Sequence, residues 1–190
     1  MKKLLSLLVL CLGTPRQGLT QTSSEFDQNR IALTRKGLYV LGGWAVGNLA
    51  YSGSKLAQSS GEAKALHQMN MGWGAVNLLL AGIGTLTSSP RPRTPYEVLQ
   101  QQEKFEKIFL VNTALDVAYV AGGAYLNEKG KNRGNARNQG FGKSVMLQGA
   151  FLFAFDGLMY LVHRQHFRKH EHLWKTLGPA DKGIGVNMSF

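Results

Sequence analysis

Cysteine is all but missing from this 190-residue chain. Its one copy, Cys11, excludes a disulfide framework and any cysteine-rich zinc module. Proline occurs only five times, which leaves room for long uninterrupted helices and removes collagen-like and low-complexity classes. Acidic residues are few, 11 against 22 Lys and Arg, so the formal net charge is +11. Charged residues make up only 17% and apolar residues 44%, a balance too apolar for a disordered chain. Strand signals are nearly absent before residue 183.

What is present begins with a leader. Lys2 and Lys3 precede a nine-residue stretch, 4–12, that is apolar except for Ser6, and small residues follow at Gly18 and Thr20. A basic start, a short apolar run and small residues at −3 and −1 predict a secretory signal peptide over residues 1–20. Nine helical residues rise only about 14 Å, too short for a hydrocarbon core of roughly 30 Å. Leu10 precedes Cys11 where a lipidated cysteine wants a small neighbour. The implied location is a bacterial cell envelope, in the membrane rather than free in a periplasm.

After a polar segment, 21–30, four long segments follow, at about 31–51, 62–87, 95–127 and 143–176. Breakers separate them: Ser59-Ser60-Gly61, the proline-bearing linker 88–95, and a basic Gly/Asn-rich stretch, 130–142. Residues 177–190 end in a strict alternation, Ile184, Val186, Met188 and Phe190, read as an extended tail. The expected fold is all-α, a four-helix up-and-down bundle over 31–176 that spans a membrane. Each segment holds a largely apolar run of near-spanning length. Small residues recur at helix-contact spacing, as Gly43/Gly47, Ala114/Ala118/Gly122 and Ala150/Ala154. Against spanning stand Asp116 and Asp156 near the middles of their runs, and a Lys/Arg distribution that does not favour one side. A soluble periplasmic bundle is the competing reading.

The informative pattern is one polar stripe per helix. Residues three, four and seven apart share a helix face. Trp44, Asn48 and Tyr51 align on the first helix; His67, Asn70, Gly74 and Asn77 on the second, beside Trp73. Asn112, Asp116 and Tyr119 align on the third, and Asp156, Tyr160 and His163 on the fourth. A loose internal repeat, G-W-x-x-x-N-L, occurs at 43–49 and again at 72–78. Facing lipid, each polar group would stay unpaired at about 1–3 kcal/mol, so all four stripes are expected to turn inward. There they either satisfy one another, as a packing network, or line a ligand, ion or proton site.

These residues carry a resemblance. G-W-x-x-x-N-L at 43–49, H-Q-M-N-x-x-W-G-x-x-N-L at 67–78, N-x-x-x-D-x-x-Y at 112–119 and F-D-x-x-x-Y-L-V-H at 155–163 resemble a family of small helical proteins of unknown function. Members of that family occur in outer-membrane-bearing bacteria and carry a secretion leader. The resemblance spans about 31–163 and implies a membrane-associated four-helix bundle with no established activity.

Other chemistries find little footing. No paired Glu-x-x-His set for a di-iron bundle, no H-E-x-x-H motif, no P-loop and no nucleophile elbow is present. No catalytic residues and no cofactor are therefore expected. His166 and His170, at i and i+4, could hold a metal ion through two imidazoles, although Arg164, Arg168 and Lys169 would repel it. The basic stretch with Lys129, Lys131, Arg133, Arg137 and Lys143 would meet anionic lipid headgroups behind a secretion leader, rather than nucleic acid. Three functions follow, in order: a structural or small-ligand-binding membrane protein; a proton or ion conduit through Asp116 and Asp156; and a periplasmic metal or haem binder.

Overall fold

The structure is a computed structural model. It describes the backbone of residues 14–175, 177–180 and 183–186, and the side-chain surroundings of residues 22–174. Most of the expected leader, with Cys11, and residues 187–190 lie outside the described residues.

Four long helices carry the fold: α1 (Thr14–Leu56), α2 (Gly61–Thr87), α3 (Pro95–Asn132) and α4 (Ala136–Lys169). A short α5 (Glu171–Lys175) follows, and then β1 (Leu177–Ala180) and β2 (Gly183–Val186). The helix starts are written locally. Pro95 sits at the first turn of α3, where its missing N–H costs nothing. Before it, Thr94 and Glu97 form a capping box: the Thr94 hydroxyl accepts from the Glu97 N–H, and the Thr94 N–H donates to the Glu97 carboxylate at 2.7 Å. The Asn135 side chain caps α4 by accepting from the Asn138 N–H.

Three expectations are corrected. The polar segment 21–30 is part of α1, because Phe26, Asp27 and Arg30 all pack inward. The basic stretch 130–142 is not a loop. Only residues 133–135 connect α3 to α4, and Gly134 supplies the positive φ of 62° that the turn needs. The neighbouring glycines serve close helix packing instead. A Cβ on Gly142 would collide with the backbone of Asn127, and one on Gly123 would lie 2.8 Å from the Gly142 carbonyl oxygen. The tail is not one extended strand: β1 and β2 pair antiparallel, Leu177 opposite Val186 and Ala180 opposite Gly183.

The helices pack in the order α1–α2–α4–α3, and α1 also reaches α3 and α4. Residue pairings give their directions. Ser52 meets His67, and Gly42 faces Ala81, so α1 and α2 are antiparallel. Gly149 meets Tyr119, and Gln102 bonds the His163 carbonyl, so α3 and α4 are antiparallel too. Helices α2 and α3 scarcely touch, which leaves a gap between them.

The interior is unusual in kind. Buried polar residues outnumber buried apolar ones, and they include Asn48, Asn70, Asn77, Asp116, Gln148 and Asp156. Large aliphatics face outward: Leu79, Leu80 and Ile83 on α2, Val111 and Leu115 on α3, Leu158 and Leu161 on α4. Two small apolar clusters form: one between α1, α2 and α4, around Leu41, Ala81 and Leu152, and one where the start of α1 meets α3, α4 and α5, around Phe26, Val98 and Trp174. Asp27 there binds Arg30 and Arg93 together, at 2.6 and 2.5 Å, and so pins the 88–94 linker to α1.

Candidate functional site

The polar stripes do turn inward, and they separate into two halves of different character. In the first half the groups satisfy one another. Gln148, fully buried on α4, is the hub. Its carbonyl accepts from the Trp44 indole N–H at 2.9 Å, and its NH₂ donates to Asn48 at 2.9 Å and Asn70 at 3.2 Å. The Ser144 hydroxyl donates to the same Asn70 oxygen at 2.6 Å. Asn48 spends its own NH₂ on the Trp44 carbonyl, and His67 meets Ser52 at 3.4 Å. This set joins α1, α2 and α4 as a packing network.

The second half surrounds a cavity of about 470 Å³ between the four helices. Its walls are apolar and aromatic: Trp73, Phe105, Phe109 and Phe155, with Leu38 and Met159. Asn77, Asn112, Asp116 and Asp156 give it a polar floor. The Asp116 and Asp156 carboxyls are hydrogen-bonding neighbours, and Asn112 bonds Asp156. Here satisfaction fails. The Asn77 Nδ2 and one Asp116 oxygen are buried without a partner, in residues only 2% exposed. Tyr119 stands at the edge, 39% exposed, with Trp73 edge-on at 5.2 Å.

The two copies of G-W-x-x-x-N-L thus take different work. Trp44 and Asn48 belong to the closed network; Trp73 and Asn77 face the cavity. His163 lies behind the cavity wall, fully buried and stacked against Phe105 and Phe109, with a 3.5 Å contact to Thr34. Tyr160 is not brought in; its hydroxyl accepts from Arg164 on the outer surface. Tyr51 is exposed.

His166 and His170 lie in the cap outside this core. The His166 Nε2 bonds the Phe26 carbonyl at 3.2 Å, and the His170 Nδ1 bonds the His166 carbonyl at 2.8 Å. Their rings pack on Phe26, and among the described residues no third ligand joins them to hold a metal ion. Burial pushes the His166 imidazole below its ordinary pKa, and the neighbouring charges of His170, Arg30 and Lys169 add to the shift, while the Phe26 carbonyl opposes it. In the α3 cap, hydrogen bonds from the Thr94 backbone and hydroxyl hold Glu97 below the usual carboxylate range.

Several of these residues were not singled out in the sequence. Gln148 and Ser144 continue the i, i+4 row of buried positions that runs back from Asp156 through Leu152, so following that row finds them. Asp27 and Arg30 are a local i,i+3 pair, but Arg93 gives no such signal, because its pairing with Asp27 crosses 66 residues. The small-residue stripes also prove misleading: nothing approaches Gly43, Gly47 or Gly122, and Ala114, Ala118, Ala150 and Ala154 are exposed. The close contacts fall on Gly74, Gly123, Gly140 and Gly142 instead.

Fold and site together define an all-helical protein with a hydrogen-bonded polar interior and one polar-floored cavity. The chain belongs to a family of unknown function, DUF6992, whose model matches residues 40–157. That span holds the Gln148 network and most of the cavity floor. No curated protein and no solved structure matches the chain.

Proposed function

We propose that the protein is a membrane-embedded four-helix up-and-down bundle of the cell envelope, and that its cavity binds a small ligand with an apolar body. One observation carries the membrane part. Across 37–54, 65–87, 108–127 and 144–162 the only Asp, Glu, Lys or Arg residues are Asp116 and Asp156, and both are buried. The outer surface of these stretches is therefore free of formal charge and rich in exposed aliphatics. Stretches of 18 to 23 helical residues rise about 27–35 Å, the thickness of a hydrocarbon core. By length and composition α3 and α4 are long and apolar enough to cross a membrane. A soluble core helix would pass the same test while buried, yet their most apolar windows are only 11% and 28% buried.

Charge gathers at both ends of this band. Lys129, Lys131, Arg133, Arg137 and Lys143 lie at the α3–α4 turn, where anionic headgroups would meet them, although Lys131 and Lys143 also pair with Glu128 and Glu62. The ligand part rests on the cavity, whose volume falls in the range of small-molecule sites.

Alkaline carbonate extraction of membranes, with mass spectrometry of the mature N-terminus, tests the membrane part. Retention in the pellet with an N-terminus near Gln21 is expected. Release into the supernatant, as a monomer or as an oligomer covering its apolar faces, would overturn it.

A further inference from the structure

The cavity's charge is the opposite of the protein's. The chain carries a net charge of +11, yet no Lys, Arg or His lines the cavity, and two acids do. Two adjacent carboxyls away from water, with no basic partner, are a costly arrangement for a fold to keep. Trp73, Phe105, Phe109, Tyr119 and Phe155 line the same cavity. Acidic groups among aromatic rings suit a cation, which gains both Coulomb and ring-quadrupole attraction when desolvated.

We propose that this cavity is a binding site for an amphiphilic organic cation, an amine on an apolar body. The inference rests on the membrane and ligand reading above and names the ligand's class. The ammonium N–H groups would donate to Asp116 and Asp156. The Asp116 oxygen and the Asn77 Nδ2 are buried, unpartnered and at the cavity. A purely apolar occupant would leave both unpaired, and an anion would face two carboxyls. An amine answers the first, and an oxygen beside the amine would answer the second. The seam between α2 and α3, where the backbones do not pack closely, would be the lateral route in for a ligand that partitions into lipid.

The test is made on the purified full-length chain in nanodiscs, with three probes of equal chain length: decylamine, decanol and decanoate. Trp73 fluorescence reports occupancy, with Trp73→Phe as the control. Decylamine is expected to bind at least tenfold more tightly than decanol, and decanoate not at all. Asp116→Asn and Asp156→Asn, nearly isosteric changes, should abolish the amine preference while decanol binding and helicity persist. Equal binding of amine and alcohol by the wild type, or a preference that survives both substitutions, would overturn the cation inference and leave the cavity reading standing. Failure of all three probes would remove the ligand reading itself. The carbonate extraction decides the membrane part independently.

Discussion

Gln148→Met separates the polar contribution of the buried network from its packing, because the two side chains are close in volume. The substitution removes three hydrogen bonds, at 2.9, 2.9 and 3.2 Å. The Asn70 oxygen keeps its Ser144 partner, but the Trp44 indole N–H and the Asn48 oxygen lose theirs. A neutral buried bond contributes about 0.5–1.5 kcal/mol net, and each stranded group costs about 1–3 kcal/mol. In membranes the average per interhelical bond is smaller, roughly 0.6 kcal/mol, because the unfolded segments also find partners. The expected loss is therefore about 2–4 kcal/mol. Reversible unfolding in mixed micelles, followed by circular dichroism, measures it, and a double-mutant cycle with Trp44→Phe isolates the indole bond. A loss below about 0.5 kcal/mol would refute the claim that this network holds α1, α2 and α4 together.

The other perturbations probe the remaining regions. Asn77→Leu, in the second copy of the repeat, removes an amide whose nitrogen has no partner; the same unfolding assay should show a change under about 1 kcal/mol, or a gain. Asp27→Ala strands the guanidinium groups of Arg30 and Arg93, whose side chains are 3% and 10% exposed, and should cost about 3–5 kcal/mol, read as an earlier thermal transition of the cap. His166 is held below its ordinary pKa by burial, so the folded cap binds fewer protons than the unfolded chain. Its contribution is present above about pH 6.5 and is lost as pH falls below that value, which Trp174 fluorescence against denaturant at pH 7.5 and 5.5 should detect.

How much of this was legible in the sequence depends on the range of the interaction. The four helices follow from local signals, and so do the starts of α2 after Ser60 and of α3 at Pro95, whereas α1 and α4 begin earlier than the expected residues 31 and 143. The inward stripes were legible because they are periodic within one helix. The loop read into 130–142 went wrong because glycine and asparagine serve equally in turns and in tight helix crossings. Only the position of the partner backbone, such as Asn127 against Gly142, decides between them. The role of 21–30 was hidden for a related reason: Phe26 and Asp27 find partners in His166, Trp174 and Arg93, far along the chain.

The repeat sharpens the distinction between structure and function. Both copies place an asparagine in the interior, four residues after a tryptophan, on helices that pack against each other. Their difference comes from what α3 and α4 present to them. Asn48 meets Gln148, which has two N–H groups and a carbonyl to share, and the network closes. Asn77 lines the cavity with Asp116 and Asp156, and there the network stays open: the Asn77 N–H groups find no acceptor and one Asp116 oxygen finds no donor. A fold selected only for packing would close the second half as it closed the first, since a glutamine in place of one acid would supply the missing donors. The acids, the stranded amide and the open volume lie together at one level of the bundle, and on that coincidence rests the proposal that a ligand completes the interior there.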